Sequence, residues 1–103
     1  MKENFHIKKL RSAARGADCT ANIVGVCSYD SSTTVLCHFN FGDKGAAIKS
    51  SDFSAGICCS NCHDAIDRRV ESDEFLGNKY FYLARSIVRT INFYFKNGII
   101  NCN

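Results

Sequence analysis

From Leu76 onward, apolar residues return every three or four positions: Leu76, Tyr80, Leu83, Ile87, Ile91 and Tyr94. That period matches the turn of an α-helix and predicts one continuous helical face. Ser72, Asp73 and Glu74 just before it supply a cap and the acidic first turn that the positive end of a helix dipole favours. Asn97-Gly98 is a natural stop. The pattern predicts a long C-terminal helix over residues 72–98, which would pack across the preceding half of the chain.

The first half alternates differently. Thr33 to Phe39, TTVLCHF, is β-branched and apolar and predicts a strand. Cys19 to Cys27, CTANIVGVC, predicts a short strand and turn, and the Ser- and Asp-rich SYDSS that follows predicts another turn. Residues 40–56 carry three glycines and small polar residues and predict a loop. CSNCHDAIDRRV opens a helix whose apolar stripe would be Ala65, Ile66 and Val70. Residues 5–16 mix Lys8, Lys9, Arg11 and Arg15 with Phe5, Ile7 and Leu10, a short helix or basic arm ending at Gly16. The order is α+β, with too few strands for a sheet that stands alone. It predicts a single domain over 1–103: a basic arm or helix (1–16), a core (17–71) and the C-terminal helix (72–98).

Seven cysteines change this picture. No apolar run approaches the roughly 20 residues of a membrane span. The basic N-terminus lacks the apolar core of a signal peptide. A cytosolic, non-membrane protein is therefore expected, and there clustered cysteines more often bind metal than form disulfides. Cys59-x2-Cys62 has the spacing at which two thiolates reach one zinc ion. Cys19 and Cys27 are the candidates for the second pair, with Gly25 helping the chain double back. Zinc would brace the strand-poor first half. Cys58 and Cys102 suit ordinary buried positions; Cys37, on the strand, could be core or a substitute ligand.

Two histidines extend the chemistry. His63 and Asp67 stand four apart on the predicted helix and point the same way. They could hold a divalent ion such as magnesium or manganese, or simply stabilise the helix surface. His38 ends the strand, where an imidazole that titrates near neutrality could take a proton from water. Arg68 and Arg69 could clamp a phosphate, and Lys8, Lys9 and Arg11 could meet a nucleic-acid backbone. His6 receives no role. The net charge of +3 is compatible with nucleic acid without being evidence for it. A water-activating base, a metal ion and backbone-binding cations are the parts that phosphodiester hydrolysis needs.

Four stretches, SAARGADCTANIVGVC, TTVLCHF, CSNCHDAIDRR and VRTINFYFKNGII, resemble in order the YbcO-type family of prophage-encoded nucleases. The resemblance implies a small ββα-metal (HNH-like) core on a zinc-binding treble clef, with a long C-terminal helix. It implies an endonuclease acting on nucleic acid, DNA before RNA, in the cytoplasm of a bacterial host. His38 matches the strand histidine expected to be the general base. His63 matches the first helix histidine, and Asp67 the second helix ligand for a catalytic divalent ion (magnesium, manganese or zinc). Cys19, Cys27, Cys59 and Cys62 match the four cysteines of the structural zinc. Cys37 stands where many HNH sites carry an acidic or histidine ligand. Asp52, Ser54 and Asn61 are alternatives for the central position of the motif. The competing expectation is a non-catalytic zinc module that binds DNA or a phage or host protein. A homodimer through the C-terminal helix is a further expectation.

Overall fold

The computed structural model describes residues 5–40 and 51–101. Cys102 and most of the stretch expected to be a loop, residues 41–50, lie outside the described residues. Among the described residues the order is α1 (Lys8–Ala14), a 3₁₀ turn (Ser31–Thr33), β1 (Val35–His38), β2 (Ala55–Cys58), α2 (Ser60–Ile66), α3 (Asp73–Gly77) and α4 (Lys79–Lys96). The expected α+β class is present.

β1 and β2 pair antiparallel, with Leu36 opposite Ile57 and His38 opposite Ala55. β2 begins inside the expected loop and ends just before the expected helix. At four residues, one of them Gly56, it is too short to show an alternation. Alternation is nevertheless what the pair obeys. Leu36, Ala55 and Ile57 face Leu10, Ala14 and Tyr94. Cys37 and Cys58 face the opposite way, with Phe39, Ala65, Phe75, Tyr82, Leu83 and the remaining buried cysteines. The small sheet is thus covered on both faces.

Of the short strand and turn expected over Cys19–Cys27, the turn is present and the strand is not. Val26 and Cys27 both donate their N–H to the Ile23 carbonyl, and Asn22 (φ +44) and Gly25 (φ +77) take the left-handed conformation. The segment turns back on itself, so Cys27 returns towards Cys19. Thr20 still touches the sheet, donating its N–H to Ile57 O at 2.7 Å.

The expected C-terminal helix is two helices. The Ser72 cap is present, accepting the Phe75 N–H at 3.1 Å. The helix breaks at Asn78, whose side chain donates to the Glu74 carbonyl at 3.0 Å, the local competition by which asparagine ends helices. The phase shifts with the break. Leu76 and Tyr80 are exposed, while α4 buries Tyr82, Leu83, Ser86, Thr90 and Tyr94. Two of those are polar because α4 lies so close to β2. A Cβ on Gly56 would sit 2.0 Å from Ser86 Oγ. There Thr20 Oγ1 lies 2.7 Å from Ser86 Oγ and 3.1 Å from Thr90 Oγ1, and the Ile57 N–H donates to Thr90 Oγ1 at 3.0 Å. Tyr80, Phe81, Val88 and Phe95 remain exposed on α4. Val70, expected in the buried stripe of α2, lies beyond its end and is exposed. Among the described residues no helix is long and apolar enough to cross a membrane.

Candidate active site and metal centre

Cys19, Cys27, Cys59 and Cys62 bring their sulfurs within 4.8 Å of one another. Cys19 and Cys27 come from the two ends of the turn. Cys59 is the N-cap of α2, accepting the Cys62 N–H at 3.5 Å, and Cys62 lies in the first turn. Cys27 and Cys59 sulfurs are 3.9 Å apart. Four thiolates about 2.3 Å from one tetrahedral zinc would stand about 3.8 Å apart, so the donor set and its spacing suit such an ion. The surroundings act unequally on the four thiols: burial pushes Cys27 up and the bond to Cys19 pushes Cys62 up, while Cys19 and Cys59 lie below the ordinary thiol value. A hydrogen bond from Cys62, helped by backbone N–H donors and opposed by burial, brings the Cys19 thiol down to about 5. Cys27 accepts from the Tyr29 N–H at 3.4 Å and from Asn22 Nδ2 at 3.6 Å. The four cysteines form a group that could hold a metal ion such as zinc.

His38 stands at the end of β1 with its Nε2 2.6 Å from Asp52 Oδ1. Asp52 is a buried carboxylate. Its other oxygen accepts Arg11 NH1 at 2.8 Å and the Ile7 N–H. Its own N–H donates to Phe5 O at 2.7 Å. Burial pushes the Asp52 carboxyl up. The hydrogen bonds from His38 and Ile7, with the charges on His38 and Arg11, overcome that and hold it below its ordinary value of 3.8. His6 Nδ1 lies 3.9 Å from Asp52 Oδ1. The segment before α1 therefore closes over the base of His38.

His63 Nε2 meets Asp67 Oδ2 at 3.0 Å, as their four-residue spacing predicts. Asp67 caps the C-terminal end of α2, and Arg68 turns the chain with φ +65. Behind His63 lies buried Cys37. A hydrogen bond from Cys58, then contact with His63, lowers the Cys37 thiol to about 7. Its bond to Cys37 and the negative charge of Asp67 raise His63 above 6.5. Cys37 and His38, successive strand residues, thus serve opposite faces of the sheet.

His38, Phe39, Asn40, Ile66, Asp67, Arg68, Lys79 and Leu83 line one cleft of about 390 Å³. Asp67 and Arg68 therefore share a wall with His38. The ligand atoms of His38, His63 and Asp67 do not all lie within 4.8 Å of one another; among the described residues the two groups that do are the four cysteines and His6–His38–Asp52. Arg69 pairs with Asp64 at 3.3 Å and Asp67 at 3.6 Å. On α1, Lys8, Arg11, Ser12 and Arg15 line a basic depression, and Lys9 is exposed. Sequence reasoning gave Asp52 no more weight than Ser54 or Asn61, and it gave His6 and Lys79 no role. Asp52 follows a Gly- and Ser-rich stretch, and no spacing in the chain points from it to His38.

The profile of the family described as "Putative nuclease YbcO" matches residues 8–99. The chain belongs to this family. It is 39% identical over 92 residues to the "Putative nuclease YbcO" of Escherichia coli (strain K12), which covers 88% of this chain and 95% of that protein. The YbcO protein of Enterobacteria phage 82 matches with the same identity and coverage. Among solved structures, a "putative bacteriophage protein" from Escherichia coli str. K-12 substr. MG1655 superposes with a TM-score of 0.70 at 36% identity. It covers 87% of this chain and 100% of that one. The YbcO match spans α1, both strands, all four cysteines and the whole of α4.

Proposed function

We propose that this YbcO-family chain is a phage- or prophage-encoded, metal-dependent endonuclease that hydrolyses phosphodiester bonds in DNA, of the ββα-metal (HNH) type on a zinc-bound treble clef. The observation that carries this reading is the shared cleft. It brings the strand-end His38, anchored on a buried carboxylate, together with Asp67, Arg68 and Lys79. The names of the family and of its curated relatives support the same class.

Each residue then has a role. His38 donates its Nε2–H to Asp52, which leaves Nδ1 as the ring's proton acceptor. His38 is the general base that takes a proton from the attacking water. Asp52 positions it. His63 and Asp67, about 3 Å apart, suit an ion that keeps several water ligands, as magnesium and manganese do. Held there, such an ion would polarise the scissile phosphate and stabilise the leaving oxygen. Arg68 and Lys79 place cations in the cleft for the phosphate. Arg69, Lys8, Lys9 and the free donors of Arg11 meet the backbone further out. Cys19, Cys27, Cys59 and Cys62 hold a structural zinc, which fixes the start of α2 and with it His63.

Plasmid nicking with added magnesium or manganese tests the reading. His38→Ala should slow it roughly 10²- to 10⁴-fold, the usual worth of a general base, with unchanged circular dichroism. Equal rates in both proteins, after contaminants are excluded, would sink the assignment of His38. Salt-dependent DNA binding without any cleavage would favour a non-catalytic zinc module instead.

A further inference from the structure

The cluster of His6, His38 and Asp52 offers more than the positioning of one imidazole. Its three ligand atoms lie within 4.8 Å of one another. Asp52 Oδ1 is 2.6 Å from His38 Nε2 and 3.9 Å from His6 Nδ1. Two donors sharing an ion at about 2.1 Å stand roughly 3.0–3.4 Å apart. The two distances fall on either side of that range. His6 lies on the exposed segment before α1, so a small movement of its ring brings the longer distance into that range; the shorter one opens when an ion displaces the hydrogen bond. Asp52 Oδ2 is already engaged by Arg11 and the Ile7 N–H, which aims Oδ1 at the two imidazoles. Outer hydrogen bonds of this kind orient the carboxylate ligands of metal sites.

We propose that His6, His38 and Asp52 form a second metal site, separate from the cysteine centre, and that an ion bound there takes His38 out of water activation. Two imidazoles and one carboxylate select borderline transition-metal dications such as Zn²⁺ or Co²⁺ over Mg²⁺. Arg11 offsets part of the carboxylate charge, so the site binds more weakly than four thiolates and fills second. The ion replaces the His38–Asp52 hydrogen bond: the Nε2 proton is lost to solvent, Nδ1 takes up a proton from water, and the lone pair freed on Nε2 goes to the ion, so neither ring nitrogen is left to accept a proton from the attacking water. The binding half of this proposal stands on geometry alone. The inhibitory half rests on the proposed role of His38 as base.

The experiment uses full-length protein carrying one equivalent of zinc, titrated with Co²⁺ and followed by absorption and calorimetry. A second equivalent should bind with the weak bands of a nitrogen and oxygen site and without thiolate-to-cobalt charge transfer. His6→Ala should weaken that second equivalent at least ~10-fold, since even outer-shell changes commonly cost that much. No second equivalent in the wild type, or one unchanged in His6→Ala and Asp52→Asn, would overturn the site. In nicking assays run with magnesium, Zn²⁺ should inhibit the wild type at the concentration where the second site fills. In His6→Ala the midpoint should rise relative to that variant's own zinc-free rate. A second ion that binds and leaves nicking unaffected would overturn the inhibitory half. Protein that never nicks DNA would refute the nuclease reading, and the titration would still decide the site.

Discussion

Asp52 is the residue on which the site turns. It is a buried carboxylate reached by an imidazole, a guanidinium and a backbone N–H. Replacing it with Asn should destabilise the protein at pH 7 by roughly 1.5–3 kcal/mol, the scale of hydrogen bonds to a charged group. The sign of the pH dependence follows from its depressed pKa. The stabilisation is fully present above the unfolded value of about 3.9 and is lost as pH falls through the lower folded value. Urea denaturation of wild type and Asp52→Asn should therefore differ at pH 7, and the gap should narrow as pH falls below about 3.9 towards the depressed folded value. A gap that persists undiminished in acid would mean the Asp52 charge is not what matters. The sequence made its partners visible one at a time: His38 by its place on a strand, Arg11 by its basic neighbours. Their meeting is a tertiary fact. Arg11 and Asp52 are brought together across 41 positions of chain. The meeting of the four cysteines was more legible, because the spacing at which thiolates can share a zinc ion is constrained directly.

At the level of elements, the closest approach is α4 over β2 at Gly56. A methyl group there meets Ser86 Oγ at 2.0 Å and Phe39 and Ser86 carbon atoms at 3.0 Å. Gly56→Ala should cost about 1–3 kcal/mol, as overpacking a tight core does, measured by chemical denaturation. Thr90→Val should cost a further ~1–3 kcal/mol by leaving the buried Ile57 N–H without its acceptor. These contacts also explain which elements sequence periodicity could find. The helical character of residues 73–96 came from a repeat long enough to read, β1 from its β-branched, apolar run and α2 from its apolar stripe, while α1 stood open between a helix and a basic arm. β2 did not, because Gly56 carries no side chain to alternate. On α4 the expected face holds at Leu83, Ile87 and Tyr94 and fails at Tyr80; Ser86 and Thr90 were missed because they look solvent-facing until Thr20 and Ile57 are placed against them. The Cys19–Cys27 segment reads as a short strand and turn. The turn forms, and left-handed Asn22 and Gly25 interrupt the extended run that its β-branched residues favour.

Across the whole molecule, the cysteine centre and the sheet hold one another. Cys59 belongs at once to the four-cysteine group and to the cap of α2, so an ion held by that group would stand or fall with the helix that carries His63. Purified protein should carry about one tightly bound zinc per chain. Its removal by a strong chelator should melt α2, with loss of near-ultraviolet and amide-exchange signatures. Fully folded metal-free protein would count against a structural zinc. A second consequence arises at the other end of the chain. Phe5, Ile7 and Arg11 reach Asp52 through a carbonyl, an N–H and a guanidinium. A preparation trimmed to begin within α1 would retain all four cysteines of the candidate metal group and all of α4, yet lose the Phe5 and Ile7 contacts that hold Asp52, the partner of His38. Silence from such a preparation in a cleavage assay would report on the trimming alone. Tags belong at the opposite terminus, and the first eleven residues belong in every assay.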